Sequence, residues 1–355
     1  MNISLCMIVK NEEEVLARCL ESVKTLVDEI IIVDTGSTDK TVEIARAFTE
    51  KIYDFPWEDN FAKARNFSFD QAAGDYILWL DADDYISPEN AARFLALKDL
   101  LSNELPDMVM CPYDTGHGGN APLSTFYRER LVRRCKGFVW QGRVHECIAP
   151  RGKVLHFDFH VSHLGSKKIR GARNLHIYQK WAAEEMLGAR DKFYYGRELY
   201  YNRLYTEAIA VLEDMLSGEG WYVNQIEACK ILSYCYAAQG KTEEAKTALL
   251  SSFLYGEPRA CVLCELAGIY KKENKIREAI FWYEGALRCR DHAEEGDFEE
   301  PASRTLIPLV ELTCCYFSLG DTEKAISRHK RAERLFPSHP AVIYNRKFFQ
   351  SQGLL

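Results

Sequence analysis

The sequence lacks any run of about 18 apolar residues, the length a helix needs to cross a membrane. Its first residues, MNISLCMIVKNEE, place no basic stretch ahead of their short apolar run, which is not the layout of a secretory signal. It also lacks positive charge in excess: 45 Lys and Arg against 52 Asp and Glu leave a net −7, which excludes wholesale nucleic-acid binding through surface charge. Its 12 cysteines lack the spacing of a disulfide framework. Cys6, Cys19, Cys229, Cys235, Cys314 and Cys315 fall inside apolar patterns and read as buried free thiols in a reducing compartment. Cys261 and Cys264 form a C-x-x-C with no second pair and no strand-to-helix context, so it carries neither a zinc nor a redox motif. These absences predict a cytoplasmic chain without a membrane span. Its 355 residues suggest about two domains.

What is present divides into two kinds of pattern. In the first half, ISLCMIV (3–9), EIIIVD ending at Asp34, and DYILWLD ending at Asp81 alternate with helical patterns. Val15, Leu16, Cys19, Leu20 and Val23 recur at helical spacing behind Asn11, placed as an N-cap, and Val42, Ile44, Ala45 and Phe48 do the same. Apolar strands separated by amphipathic helices predict a mainly parallel sheet covered on both faces. Such sheets bind ligands outside the carboxyl ends of their strands. Those ends carry Asn11 with Glu12, Asp34, and Asp81 with Asp83.

The second half has no strand pattern and repeats. YYNRLYTEAIAVLEDML, YAAQGKTEEAKTALLSSF, YKKENKIREAIFWYEGAL and YFSLGDTEKAISRHKRA align on Ala208, Ala245, Ala279 and Ala325, whose numbers differ by 37, 34 and 46. A period near 34 is the tetratricopeptide signature of stacked helix pairs. The long last interval contains the acidic DHAEEGDFEEPA (291–302), read as a solvated loop. Trp282 and Tyr283 read as solenoid core, and Phe336-Pro337 closes the last repeat.

WLDADDY (79–85) crowds Asp81, Asp83 and Asp84 behind an apolar run, where like charges repel unless a cation or a ligand offsets them. A calcium loop counted from Asp81 needs Gly and Glu where Ile86 and Ala92 stand. An aspartyl-phosphate phosphatase fits poorly because Tyr85 follows the acids. A metal bridging a nucleotide diphosphate accounts for the most residues. GHGGNA (116–121) matches a dinucleotide fingerprint only formally, since Pro122 follows and no helix opens there; it reads as a loop near the acceptor side of a cleft.

With SLCMIVKNEEEVLARCLESV, DEIIIVDTGSTDKT, FPWEDNFAKARNFS, GDYILWLDADD, GRVHE, and VSHLG followed by RGARNL, the chain resembles the inverting family 2 glycosyltransferases of the GT-A fold. It resembles the branch that carries C-terminal tetratricopeptide repeats, some of whose members are similar to peptide S-glycosyltransferases of bacteriocin precursors and others to enzymes of lipopolysaccharide or cell-surface glycan assembly. The resemblance implies an α/β GT-A domain over 1–185, Rossmann-like, followed by an all-α tetratricopeptide solenoid over 186–355. It implies a UDP-sugar donor, a divalent cation (Mn2+ or Mg2+) and a D-x-D pair formed by Asp81 and Asp83, with Asp83 on the metal and His163 as a later metal ligand. Glu12, Asp34 and Asp39 would hold the uracil and ribose, and Arg65 would lie beside the diphosphate.

Inverting transfer needs a general base to deprotonate the acceptor. Glu146 is the first candidate, with His145 as its orienting partner or replacement, and Asp84 as a further alternative facing the acceptor. Arg128, Arg130, Arg133, Arg134, Lys136 and Arg143 form one basic cluster, and Lys167, Lys168, Arg170 and Arg173 a second; both suit a diphosphate whose charge grows on departure. The repeats suggest a peptide, protein or glycan acceptor, or a homodimer. The alternative function is a tetratricopeptide scaffold with a catalytically silent GT-A domain.

Overall fold

The computed structural model describes residues 1–118, 121–165, 172–292 and 301–355. They form two compact units, Met1–Met186 and Leu187–Leu355.

In the first unit, β1 (Ile3–Val9), β2 (Glu29–Asp34), β3 (Ile52–Asp54) and β4 (Tyr76–Trp79) pair in parallel in the order β3-β2-β1-β4. The helices α1 (Leu16–Val23), α2 (Thr41–Arg46) and α3 (Phe61–Asp70) are the crossovers that let these strands run the same way. Leu16, Cys19, Leu20 and Val23 are buried along one face of α1, the spacing seen in the sequence.

Beyond β4 the sheet becomes mixed. The short β5 (Asp84–Tyr85) and α4 (Pro88–Glu104) lead into β6 (Met108–Gly118) and β7 (Ala121–Arg133). These two pair antiparallel as a long hairpin, and β7 also pairs antiparallel with β4. Gly118 stands opposite Ala121 in that hairpin, so 116–118 and Ala121, expected as loop, belong to strands. β8 (Trp140–Gln141) and β9 (Cys147–Ile148) form a separate two-stranded ribbon. β10 (Val154–His156) pairs with β6, and β11 (Val161–His163) lies between β6 and β5. Among the described residues the main sheet therefore has nine strands. One side packs Leu5, Met7, Leu16, Leu20, Leu78 and Phe94 into a core; the other packs Cys6, Ile31, Ile77 and Trp79 against Phe69 and Trp140. α5 (Arg173–Glu184) closes the unit. This is the expected α/β GT-A architecture, mainly parallel in its first four strands.

The second unit is all-α. Its helix pairs are α6 (Ala189–Tyr201) with α7 (Tyr205–Leu216), α8 (Tyr222–Ala238) with α9 (Thr242–Ser251), α10 (Ala260–Lys272) with α11 (Ile276–Ala286), and α12 (Leu306–Ser318) with α13 (Thr322–Leu335), followed by α14 (Pro340–Ser351). Ala208, Ala245, Ala279 and Ala325 have no exposed surface, which is why only a small side chain recurs there. Five residues before each alanine, Arg203, Gly240, Asn274 and Gly320 have φ of 61°, 76°, 61° and 78°. The next amide N–H in each turn donates back to the carbonyl of Leu199, Tyr236, Tyr270 or Tyr316 at 2.9–3.0 Å, the closure that ends a helix with a left-handed residue. One turn geometry is thus used four times, twice without glycine. Tyr283 is core, as expected, with Trp282 packed against it. Cys264 is buried, but Cys314, read as buried from its apolar pattern, is exposed. No helix among the described residues is long and apolar enough to cross a membrane.

Candidate active site

The carboxyl ends of β1 and β2 are tied to each other before any ligand is considered. Asp34 ends β2; its Oδ2 accepts the amide N–H groups of Gly36 (3.1 Å) and Ser37 (2.9 Å). Its Oδ1 is buried without a hydrogen-bond partner among the described residues. The Asn11 amide donates to Ser37 Oγ (2.9 Å), and Asn11 Oδ1 accepts the Thr38 amide (2.7 Å). Glu12 donates its amide to Thr41 Oγ1 (2.6 Å), while Asp39 accepts the amides of Thr41 (2.9 Å) and Glu13 (3.3 Å). Asn11 is therefore not the cap of α1. It sits at φ 56° with its carboxamide committed to the neighbouring loop, and the helix starts later, behind Val15. Glu12, Asp34 and Asp39 do share one edge of the sheet.

The three acids of DADD separate into two groups. Asp81 is drawn to Arg65 on α3, whose Nη2 lies 2.7 Å from Asp81 Oδ1 while its Nε lies 2.6 Å from Glu146 Oε1. The guanidinium is 5.0 Å from the Trp79 ring and 4.8 Å from the Trp140 ring, contacts that hold a planar cation well. Burial works to raise the Asp81 pKa, but Arg65, Arg130 and Arg128 outweigh it and bring it down to about 2. Glu146 reaches Arg65 from the turn between β8 and β9. In the same turn His145 takes φ 52° and stacks on Tyr178 at 6.3 Å. Arg65, expected beside a diphosphate, is thus buried and bridges the first D-x-D acid to the candidate base.

Asp83 and Asp84 face His163. The β5 and β11 strands pair antiparallel with His163 directly opposite Asp84. His163 Nδ1 lies 3.4 Å from Asp83 Oδ1 and 3.6 Å from Asp84 Oδ1. These are ion-pair distances, beyond a good hydrogen bond, and Nδ1 has no hydrogen-bond partner among the described residues. The carboxylates, Asp83 foremost, push the imidazole pKa up to about 10. One donor atom from each of the three residues lies within 4.8 Å of the others. Two carboxylates and one imidazole fit a divalent ion such as Mn2+ or, with more water retained, Mg2+. Asp84, considered above as a base facing the acceptor, is instead fully enclosed. Its oxygens take the Asp81 amide, the Arg130 guanidinium and the Tyr113 hydroxyl.

The first basic cluster is largely used within the protein. Arg128 pairs with Glu129 at 3.3 Å, Arg130 with Asp84 at 3.0 Å, Lys136 with Asp107 at 3.1 Å and Arg143 with Glu184 at 2.6 Å; Arg134 donates to the Gly74 carbonyl at 2.7 Å. Arg128 and Arg130 are two apart on a strand, so both turn to the side of Trp79, 5.0 Å and 3.9 Å from its ring. Lys167, Lys168 and Arg170 lie outside the described residues, and Arg173 rests over Phe61 at 4.8 Å. Sequence reasoning missed Tyr113 and the support given by Trp79 and Arg130. The alternation of YRERLV was the available signal.

Residues 4–156 match the family described as glycosyl transferase family 2. A TPR repeat-containing protein of Synechococcus elongatus is 52% identical over 146 residues, 41% of this chain and 35% of that protein. The SPbeta prophage-derived glycosyltransferase SunS of Bacillus subtilis is 30% identical over 228 residues, 59% of this chain and 52% of that protein. The chain thus spans about a third to a half of the length of these curated relatives. Among solved structures, S. aureus TarS 1-349 in complex with UDP-GlcNAc aligns with a TM-score of 0.40 and 16% identity over 73% of this chain and 93% of that one. With the matched span lying on the sheet that gathers these acids, the chain carries a family 2 glycosyltransferase domain.

Proposed function

We propose that the chain transfers a sugar from a nucleotide-diphosphate donor, a UDP-sugar by resemblance, to an acceptor with inversion, and that transfer depends on a divalent cation. The observation that supports this best is the meeting of Asp83, Asp84 and His163 within 4.8 Å, beside Asp81 and Glu146 on Arg65. Asp83 and His163 would hold the cation, which when bound offsets the charge gathering on the departing diphosphate. Glu12, Asp34 and Asp39 would take the nucleoside. The buried, unpartnered Oδ1 of Asp34 is an acceptor for an N–H or O–H of the base or ribose.

Glu146 takes the proton of the acceptor nucleophile as its bond to the sugar carbon forms and the carbon–diphosphate bond breaks. His145 orients Glu146 or replaces it as base. Arg65 holds Asp81 and Glu146 at a fixed spacing, since one guanidinium bonds both. The all-α unit supports a peptide, protein or glycan acceptor recruited by the repeats, or pairing of two copies.

The test is UDP release from a panel of UDP-sugars with Mn2+ or Mg2+, without acceptor, for the parent chain and Asp83→Ala. Metal-dependent release from one sugar, lost in the variant and on chelation, supports the reading. Absence of both release and metal-dependent UDP binding would overturn it in favour of the silent scaffold.

A further inference from the structure

We infer that Tyr113 and Arg130 are positioning residues for the cation site: they hold the buried carboxylate of Asp84 so that Oδ1 joins Asp83 and His163 as a third ligand. This rests on the metal-dependent reading above. A carboxylate has about four acceptor positions. On Asp84, Oδ2 accepts the Asp81 amide (2.9 Å) and Arg130 Nη1 (3.0 Å), and Oδ1 accepts the Tyr113 hydroxyl (2.8 Å). The remaining position is on Oδ1, the atom 3.6 Å from His163 Nδ1. That nitrogen has no hydrogen-bond partner among the described residues. The remaining Oδ1 position lies beside a second aspartate, and like charges this close favour a bridging cation.

The supports come from two neighbouring strands, β6 and β7. Tyr113 lies on β6, which pairs with both β7 and β11. Its ring is wedged 5.7 Å from Phe126, 5.8 Å from the His163 ring and 4.3 Å from the Arg130 guanidinium, so the hydroxyl has little freedom to swing. Arg130 is entirely enclosed, 3.9 Å from the Trp79 ring, with Nη1 also donating to the Trp79 carbonyl at 3.2 Å. Because it binds Oδ2, it offsets the charge of the acid pair without taking the oxygen that faces His163. Hydrogen bonds to a ligand from behind fix its direction, and their loss typically weakens metal binding about 10–100-fold.

The experiment uses Tyr113→Phe, which keeps the ring and removes the hydroxyl. Mn2+ is titrated into the full chain with UDP present, the free ion is followed by its paramagnetic resonance signal, and the Mn2+ dependence of UDP release is measured in parallel. The expected result is an apparent Mn2+ Kd raised about 10–100-fold, with the effect falling on Mn2+ affinity and not on kcat at saturating Mn2+. Arg130→Lys, which keeps the charge but loses the planar stack, should weaken Mn2+ binding less than Arg130→Met. Parental Mn2+ affinity in Tyr113→Phe, or a fall confined to kcat, overturns the inference while leaving the metal reading standing. No Mn2+ binding by the parent chain overturns both.

Discussion

At the amino ends of the strands Glu29 is surrounded by donors: Ser4 Oγ, the amides of Ala73 (2.6 Å) and Gly74 (3.2 Å), and the Lys51 ammonium. Asp28 accepts the Ile3 amide at 2.8 Å and meets Lys98 at 3.1 Å, and Asp75 accepts the Asn2 amide at 2.9 Å. Gly74 must be glycine for this, because a Cβ there would lie 2.7 Å from Ser4 Oγ and 2.9 Å from the Asn2 carbonyl. At the carboxyl ends of the same sheet, Asp34 Oδ1 and His163 Nδ1 are buried without hydrogen-bond partners among the described residues. Glu29, Asp28 and Asp75 at one edge are taken up by the fold; at the other, Asp34 Oδ1 and His163 Nδ1 keep capacity that the proposed donor and cation would use. Buried polar atoms are normally paired, so the two that are not mark the edge where a ligand is expected.

That contrast can be broken most severely at the ligand edge. Asp83→Ala should cut turnover by about 10³-fold, several kcal/mol of lost electrostatic stabilisation, and remove metal-dependent UDP binding with the circular dichroism spectrum preserved. Glu146→Gln should lower transfer to acceptor by about 10²-fold or more while nucleotide binding persists; normal transfer would move the base elsewhere.

The opposite edge should respond in stability and not in chemistry. Burial works to raise the Glu29 pKa, but Lys51, Ser4 and the Ala73 amide bring it down to about 2 from its ordinary 4.5. A depressed folded pKa means that the stabilisation is complete above about pH 4.5 and is lost as pH falls from there through about 2. Glu29→Gln should therefore cost about 1–3 kcal/mol at neutral pH, flatten the acid limb of the stability profile, and leave activity per folded molecule unchanged. In the second unit the smallest effects belong to the repeated turn. Gly320→Ala should destabilise by about 1 kcal/mol and Asn274→Gly should stabilise by a fraction of that, read in thermal unfolding. Equal responses at both positions would mean that the four turns are not equivalent.

Much of the first unit was legible because its signals are local. The runs 3–9 and 29–34 became β1 and β2 residue for residue. β3, only three residues long, offers too few positions for alternation to show. The hairpin of β6 and β7 was hidden by GHGG, which composition alone reads as loop. The roles of Arg65 and Arg130 were not legible either. A sequence shows a positive charge but not the tryptophan faces and carboxylates that enclose it.

The sequence by itself determined the alternation of strand and helix, the placing of acids where strands end, and a repeat register in which Ala208, Ala245, Ala279 and Ala325 all face inward. The strand and helix patterns are periodicities of two to four residues set by the geometry of the chain itself, and the repeats add a longer period near 34. Only the tertiary structure decided that Asp81 belongs with Arg65 and Glu146 while Asp83 and Asp84 belong with His163. That partition depends on the register of β5 against β11 and on where α3 delivers one guanidinium. A shift of one residue in that register would turn His163 to the other face of the sheet, and nothing local in WLDADDY records it.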